Sequence, residues 1–189
     1  MTLKQLKEHP EGIWFGDRCY DINAPNQIRT PSGKIELYSQ TLADAGYDPI
    51  PVYKEPTRSP MKSPELAKKY PLILNTGARI EEYTHWQMRH IPELRELAPD
   101  PAAEIHPSTA AEYGLADGDM IIVETEKGQI KVKSKTTADI RPGVVNVLHG
   151  WAEELNENVL TDVEARDPVT GYPELRALAC RIRKSLSVD

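Results

Sequence analysis

The chain has 189 residues, 39% of them hydrophobic, and a formal net charge of −6. This length is enough for one domain with a substantial core plus an appendage. The acidic balance argues against a nucleic-acid binder, whose affinity would depend on neutralising phosphates, but it allows a small anionic ligand. No secretory leader and no apolar run of about 18 residues is present. As written, we expect a soluble, cytoplasmic protein without membrane contact, unless the chain is a fragment of an exported enzyme.

Metal-ligand patterns are missing from the sequence. The only cysteines, Cys19 and Cys180, cannot supply a disulfide scaffold or a thiolate cluster for zinc or iron–sulfur. His85, His90 and His106 lack the His-Glu-x-x-His spacing of a zinc site, so we interpret them as surface or hydrogen-bonding residues. We therefore predict no metal ligand and no catalytic residue in this chain.

Residues 1–62 are predicted to form an irregular N-terminal extension. Trp14, Phe15 and Tyr20 stand among turn-forming residues and have no local surface to pack against. We expect this part to be mobile in isolation or to pack on another polypeptide. The alternating segment Ile35–Tyr38 predicts a short strand.

A Pro-rich linker is predicted to end the extension. Ser39 is suited to cap a brief helix that Gly46 ends, because Gly adopts the left-handed conformation that closes a helix. Pro51, Pro56 and Pro60 then stiffen the chain and remove backbone donors. We interpret residues 1–62 as the end of an upstream domain and residues 63–189 as a separate barrel.

Closely spaced strand and turn signals fill residues 63–189. Prolines at a first helical position predict helices from Pro64, Pro92 and Pro107, and Gly114 closes the last of them. Short runs of apolar and alternating residues predict strands at 72–75, 102–105, 120–123, 130–133, 144–148 and 177–183. Short helices, tight turns and closely spaced strands indicate a small barrel or sandwich.

The segment Thr76–Arg79, directly after the first of these strands, has two interpretations. Spacing alone favours an ordinary turn. The alternative is an anion cradle, because a Thr-Gly turn after a buried strand exposes backbone amides and Arg79 adds a cation.

A long segment, from His149 to Arg176, carries few helix or strand signals. A loop of about 28 residues inside a compact domain is more often functional or disordered than incidental. Its apolar anchors Trp151, Val159, Leu160 and Tyr172 favour an ordered loop, in which Val159 and Leu160 can turn inward.

Separated motifs follow one another between residues 72 and 183: Leu74–Arg79 with His85, Ile105–Ala111, Gly114–Asp119, Arg141–Trp151 and Asn158–Pro173. As an ordered set they resemble the C-terminal molybdopterin-dinucleotide-binding domain of the dimethyl-sulfoxide-reductase family of molybdenum and tungsten oxidoreductases. The Thr-Gly-Ala-Arg and His-Gly-Trp forms are most similar to its thiosulfate- or polysulfide-reductase-like and acetylene-hydratase-like branch. The segment Ser32–Pro49 also resembles the region that precedes this domain.

The resemblance implies a mainly β fold with short helices, built as a six-stranded double-psi β-barrel of the aspartate-decarboxylase-like type. Its loops would hold one molybdopterin guanine dinucleotide. The implied binding residues are Asn75, Thr76, Gly77, Arg79, His85, His149, Gly150, Trp151, Asn158, Tyr172 and Arg176.

The resemblance also implies a role for each of these positions. The turn Asn75–Arg79 would meet the phosphate or the pterin edge, and His85 would hydrogen-bond the cofactor. His149–Trp151 would line the pocket, and Asn158 would read the pterin's mixed donor and acceptor edge, which suits an amide side chain. A last pair would close over the ligand: Tyr172 and Arg176.

The family's catalytic subunits place the metal-ligating Cys, selenocysteine or Ser, and the iron–sulfur cysteines, upstream of this domain. The resemblance therefore implies a partner that supplies the ligand of molybdenum or tungsten. That partner is the remainder of the catalytic subunit or a separate large subunit, with which an iron–sulfur electron-transfer subunit can associate. By itself the chain is expected to catalyse nothing.

Two rival functions stay open. One is a stand-alone double-psi barrel that acts as a protein-binding adaptor without a cofactor. The polar set of the long loop argues against it, since an adaptor needs no pterin-reading residues there. The other is a small hydrolase, which the absence of a recognisable nucleophile–base arrangement disfavours.

Overall fold

Six β-strands form a closed barrel in the computed structural model, which describes residues 2–14, 28–78 and 80–185. The strands are β1 (Leu72–Ala78), β2 (Ala102–Ile105), β3 (Met120–Glu124), β4 (Gln129–Thr136), β5 (Val144–Leu148) and β6 (Leu178–Lys184). Their order around the barrel is β1-β5-β2-β4-β3-β6, and β6 pairs with β1 to close it. The prediction of a mainly β, six-stranded barrel with short helices is confirmed.

Two of the six strand pairs are parallel, β1 with β5 and β2 with β4, and the other four are antiparallel. The predicted hairpin is the antiparallel pair β3–β4. Parallel neighbours need a long crossover connection, and the segments between strands supply it. Closure leaves the barrel without a free sheet edge.

The barrel core forms because buried and exposed side chains alternate along the strands. In β4, exposed and buried residues alternate, as expected for a strand with one face on the core. The fully buried large apolar side chains are Leu74, Ile105, Ile121, Val123, Val132, Val145, Val147 and Leu160. Burial of each such side chain stabilises the fold by about 1.5–3 kcal/mol before entropy is counted.

The helices are short. They are α1 (Leu3–Glu8), α2 (Gln40–Asp44), α3 (Pro64–Lys69), α4 (Pro92–Leu97) and α5 (Pro107–Glu112), with 3-10 helices at Glu153–Leu155 and Glu157–Leu160. The side chain of Ser39 caps α2, and Gly114 follows α5 with a φ of 63°, both as predicted. No helix in the described part of the chain is long and apolar enough to cross a membrane.

Two local predictions are wrong. Ile35–Tyr38 is not a strand, and Ile35 and Leu37 are 75% and 84% exposed. Alternation over a few residues gives a strand only where a second strand offers hydrogen bonds. The favoured turn at Thr76 is also wrong, because β1 continues through Ala78, with a shift of register against β5 between Asn75 and Ala78.

The chain divides into two compact units, residues 1–53 and 54–189. In the first unit, large apolar side chains are exposed, among them Leu37 and Tyr53. The expectation for Phe15 and Tyr20 lies outside the described residues.

Part of the segment predicted as a linker groups with the barrel. The backbone amide of Thr57 donates to the Glu174 carboxylate at 3.0 Å, and the amide of Ala179 in β6 donates to the Arg58 carbonyl at 3.0 Å. Residues 54–62 therefore belong to the same unit as the strands. The assignment of residues 1–62 to an upstream domain stays a prediction.

Candidate functional site

A pocket of about 240 Å³ opens at the edge of the barrel where β1 and β5 end. Because these two strands are parallel neighbours, their carboxyl ends meet at one edge, and Ala78 pairs with Leu148. The residues that follow β1 and the loop that follows β5 converge there. The pocket is lined by Thr76, Gly77, His85, His149, Glu157, Asn158, Tyr172 and Leu175.

The two histidines of this pocket form a pair. His85 Nδ1 lies 2.7 Å from His149 Nε2, and the ring centroids are 4.8 Å apart. At this distance one nitrogen donates and the other accepts. The sequence placed these residues 64 positions apart, and the parallel β1–β5 pair brings them together.

Gly150 allows this pairing through close approach of the backbone. Its φ is 106°, and a Cβ at this position would lie 2.9 Å from both the carbonyl carbon and the carbonyl oxygen of His85. His85 itself has a positive φ of 55°. Gly150 therefore supports the turn that carries His85, rather than lining the pocket as the resemblance implied.

Two polar atoms at the pocket are buried without a partner among the described residues: His149 Nδ1 and Glu157 Oε2. If His149 Nε2 accepts from His85, the neutral ring carries its proton on Nδ1, which is then an unpartnered donor. If Nε2 donates, Nδ1 is an unpartnered acceptor. Buried polar groups are nearly always hydrogen-bonded, so such atoms in one pocket indicate a missing ligand or water.

Glu157 was missed by the sequence analysis. It begins a 3-10 helix, Glu157–Leu160, which Asn156 caps, and it is only 6% exposed. The available signal was an acidic residue next to Asn158, inside a loop whose apolar residues indicated order. Carboxylates are seldom buried without a partner.

Asn158 lines the pocket from the same 3-10 helix. Its side-chain amide donates to Asn156 Oδ1 at 2.9 Å, and so does its backbone amide at 3.0 Å. Leu160 is buried and anchors the helix, as expected, but Val159 is 46% exposed and does not turn inward.

Asn75 and Thr76 hold the segment before β6 against β1. The amide and hydroxyl of Thr76 both donate to the Leu175 carbonyl, at 2.7 and 3.1 Å. Asn75 Oδ1 accepts from the backbone amide of Ala177 at 3.2 Å. The resemblance did not imply this structural role for Asn75 and Thr76. Arg79, the proposed cation of the anion cradle, lies outside the described residues.

Trp151 lies in a different pocket, of about 380 Å³. Its ring meets Tyr83 edge-on, with centroids 6.1 Å apart, and the Arg89 guanidinium lies 5.3 Å from its centroid. The structure thus separates Trp151 from the histidine pair, although His149 and Trp151 are two residues apart.

Two further pockets flank the site and share its walls. One, of about 400 Å³, shares Tyr172 and Leu175 and also contains Arg176. The other, of about 470 Å³, shares Asn158 and also contains Lys127. Each flanking pocket thus adds one basic residue beside the central pocket, Arg176 in the first and Lys127 in the second.

An ion cluster fixes the loop that follows Asn158. Lys127 Nζ lies 2.8 Å from Asp162 Oδ2, and the guanidinium of Arg58 contacts both Asp162 and Glu126. The hydrogen bond from Lys127, the backbone amide of Glu164 and the Arg58 guanidinium lower the pKa of Asp162 to about 2. The loop is thus attached both to the β3–β4 turn and to residues before α3.

Metal-ligand clusters and reactive thiols are two further features that a site could use. Within residues 2–14, 28–78 and 80–185, no three His, Cys, Asp or Glu side chains are arranged to hold a metal ion. Cys180 is buried in the barrel core, and burial raises the pKa of its thiol well above the ordinary value.

A family model described as the molydopterin dinucleotide binding domain matches residues 72–179. Acetylene hydratase of Syntrophotalea acetylenica is 44% identical over 93% of this chain and 27% of its own length. Dopamine dehydroxylase of Eggerthella lenta is 36% identical over 82% of the chain and 17% of its own length. The chain thus spans about a quarter or less of these relatives.

A solved structure has the same fold. Acetylene hydratase from Pelobacter acetylenicus matches with a TM-score of 0.74 and 35% sequence identity, over 82% of this chain and 24% of that one. The match extends beyond the residues of the family model.

Proposed function

This chain belongs to the molydopterin dinucleotide binding domains of the dimethyl-sulfoxide-reductase family, and we propose that it binds molybdopterin guanine dinucleotide through the pocket at the ends of β1 and β5. The family predicted from the sequence motifs is confirmed. The observation that carries the proposal is the occurrence of two buried, unpartnered polar atoms, His149 Nδ1 and Glu157 Oε2, at this one pocket. A ligand ring with donors and acceptors on its edge would satisfy both.

The size of the pocket supports a ring rather than a whole dinucleotide. Pockets for drug-sized ligands usually enclose about 300–1,000 Å³, whereas this one encloses about 240 Å³. We infer that one bicyclic ring is the part that enters and that the rest of the ligand extends into a flanking pocket. Arg176 and Lys127 stand in the two flanking pockets.

Charge indicates the direction of the ligand's phosphates. Lys127 is already paired with Asp162 at 2.8 Å. Among the described residues Arg176 forms no ion pair, and Glu174, the carboxylate in its pocket, accepts from Thr57. A guanidinium that has no carboxylate partner attracts phosphate oxygens more strongly than an ammonium that has one. We therefore propose that the phosphates extend past Tyr172 toward Arg176.

Other predicted binding residues are proposed either to contact the ligand ring or to support the residues that contact it. His85, His149 and Asn158 contact the ring, Gly77 allows its close approach, and Tyr172 covers it. Gly77 has a φ of 77°, and a Cβ there would lie 3.2 Å from the Leu175 side chain. Arg79 and Trp151 stay predictions without a contact assigned.

When bound, the cofactor supplies a molybdenum or tungsten centre for redox chemistry. This chain holds and orients the organic part, and the metal's protein ligand comes from elsewhere. Because relatives are several times longer than the matched region, we propose the remainder of a catalytic subunit, or a separate large subunit, as the partner. We also propose that the predicted barrel of residues 63–189, together with residues 54–62 of the same unit, is the binding domain, and that residues 1–53 are part of its neighbour.

Direct titration tests the proposal. Molybdopterin guanine dinucleotide, released anaerobically from a carrier enzyme, is added to the purified chain, and bound guanine and pterin are measured after gel filtration. A ligand at one hundred times its Kd should add about 2.7 kcal/mol to the free energy of unfolding.

Matched histidine variants serve as controls in that titration. His149→Ala should weaken binding, and His90→Ala, outside the pocket, should not. A folded chain that retains no dinucleotide would favour the alternative, a barrel that acts as a protein-binding adaptor.

A further inference from the structure

Glu157 is a buried acid, and one oxygen of its carboxylate has no hydrogen-bond partner among the described residues. Its side chain is 6% exposed, and no described group donates a hydrogen bond to its Oε2. The other buried acid in the described part of the chain does have partners: Asp162, also 6% exposed, contacts both Lys127 and Arg58. The two carboxylates lie only a few residues apart, so the contrast is not a general property of the loop.

An unpartnered buried carboxylate destabilises the folded state, because it loses hydration and gains no compensating hydrogen bond. The neighbouring walls do not relieve this cost. Among the described residues that line the pocket there is no Lys or Arg, and the Asn158 side-chain amide donates to Asn156 instead. A ligand that brings its own N–H donors would relieve it.

We propose that Glu157 selects the ligand by accepting two adjacent N–H donors from a 2-amino-4-oxo-pyrimidine edge. This edge, an exocyclic amino group next to a ring N–H, is shared by the pterin and the guanine of the dinucleotide. A carboxylate presents two oxygens in one plane and pairs with two parallel N–H donors, as it does with a guanidinium. The inference rests on the proposed function and deepens it, since it assigns the group that recognises the ring.

The proposal makes the 2-amino group the discriminating feature. A ring that carries oxygen in place of this group would face the carboxylate with an acceptor, and two acceptors repel one another. A site built to hydrogen-bond a donor rejects an analogue that lacks it, because the buried group is again left unpaired. His149 Nδ1 is available to the ring's other polar atoms.

The test uses the full chain and the variants Glu157→Gln and Glu154→Gln. Glu154 is exposed and belongs to the preceding 3-10 helix, so it controls for loss of one negative charge nearby. Binding of molybdopterin guanine dinucleotide should weaken at least about tenfold in Glu157→Gln and stay within twofold in Glu154→Gln. The unliganded Glu157→Gln chain should melt at a higher temperature than the wild type, because a buried unpaired charge is gone. If Glu157 were only a structural residue, Glu157→Gln would lower both the dinucleotide affinity and the melting temperature of the unliganded chain.

Four small probes identify the ring. Wild-type chain is titrated with guanosine monophosphate and inosine monophosphate, which differ in the 2-amino group, and with pterin and lumazine, which differ at the same position. We expect one pair to show preference for the amino compound, and Glu157→Gln to abolish that preference. The discriminating pair tells whether guanine or pterin enters the pocket.

Two results overturn the inference, and they are distinguishable from failure of the proposed function. Normal dinucleotide binding in Glu157→Gln would remove Glu157 from recognition while the proposed function stands. Equal wild-type affinity for the two members of a pair that binds, one with the 2-amino group and one without it, would do the same, even if Glu157→Gln did not fold. Absence of dinucleotide binding by the folded wild-type chain would instead overturn both.

Discussion

The barrel core and the pocket at its edge follow opposite rules. Inside the barrel, side chains are apolar, the strands are paired on both sides, and the residues of one face are buried in regular alternation. At the pocket, the buried groups are polar, and two buried polar atoms have no partner in the part of the chain that the structure describes. The core therefore supplies the stability of the fold, whereas the unpartnered polar atoms of the pocket reduce that stability.

Both regions share strand β1. Its first half sends Leu72 and Leu74 into the core, and its second half brings Thr76 and Gly77 to the pocket. The site is therefore attached to a rigid element rather than to a free loop, which keeps its residues in place.

The core should show the largest effect on stability. Leu74 is fully buried, so Leu74→Ala removes transfer energy and leaves a cavity. We expect a loss of about 2–5 kcal/mol in the free energy of unfolding, measured by denaturant titration. Leu97→Ala, at a position that is 71% exposed, is the matched control and should change little. Equal losses in the two variants would contradict the assignment of the core.

Gly150→Ala should destabilise the junction of the two regions. The new methyl group would lie 2.9 Å from the His85 carbonyl, at a φ of 106°. We expect a loss of about 1–3 kcal/mol, since strained backbone conformations cost this much, together with a changed NMR signal of the His85–His149 pair. Gly171→Ala shares a positive φ but has open space around it, so it controls for φ alone. Identical losses of unfolding free energy in Gly150→Ala and Gly171→Ala would exclude the close contact with the His85 carbonyl as the cause.

The barrel could be predicted from the sequence for a local reason. In β3 and β4, short apolar or alternating runs stand on either side of a turn that contains Gly128, and this arrangement forms a hairpin in most contexts. Where the same local pattern had no partner strand, at Ile35–Tyr38, the prediction failed. Local patterns therefore decide strands only when pairing is available.

The site could be predicted only in part, because its geometry depends on pairing between distant segments. The structure brings six of the residues that the motifs named to one pocket: Thr76, Gly77, His85, His149, Asn158 and Tyr172. No local pattern indicates that β1 and β5 are parallel neighbours, which is what joins the two histidines. The burial of Glu157 depends on the packing of Leu160 and on surrounding loops, so sequence alone gave no reason to single it out.

The ion cluster beside the pocket should make stability depend on pH in a defined window. Folding holds the pKa of Asp162 at about 2, below its ordinary value of 3.8. Its contribution is therefore complete above the ordinary pKa and is lost as pH falls from about 4 towards 2. We expect the denaturation midpoints of wild type and Asp162→Asn to differ at pH 6 and to converge near pH 2.

Other carboxylates also titrate in this window, so the difference between the two proteins is the quantity to measure. Asp139→Asn is the control, because the Asp139 carboxylate accepts from Thr137 and forms no ion pair among the described residues. The denaturation midpoint of Asp139→Asn should change with pH in the same way as that of the wild type, over the whole pH range. A constant offset between wild type and Asp162→Asn would refute the role of the cluster.

The smallest effect on stability is expected at Asn158. At this residue a role in the fold can be distinguished from a role in ligand binding. Its side-chain amide donates to Asn156 Oδ1, but the same oxygen also accepts from the backbone amide of Asn158. Because that second hydrogen bond survives truncation, Asn158→Ala should lower the free energy of unfolding by only a few tenths to about 1 kcal/mol. If the amide also meets the ligand, the same variant should weaken binding of the dinucleotide by about 1–3 kcal/mol, since a buried polar group of the ligand loses its partner. Measuring the melting temperature of the unliganded chain beside its dinucleotide affinity decides between these roles. A lowered melting temperature with unchanged affinity would make Asn158 a turn residue and leave recognition to its neighbours.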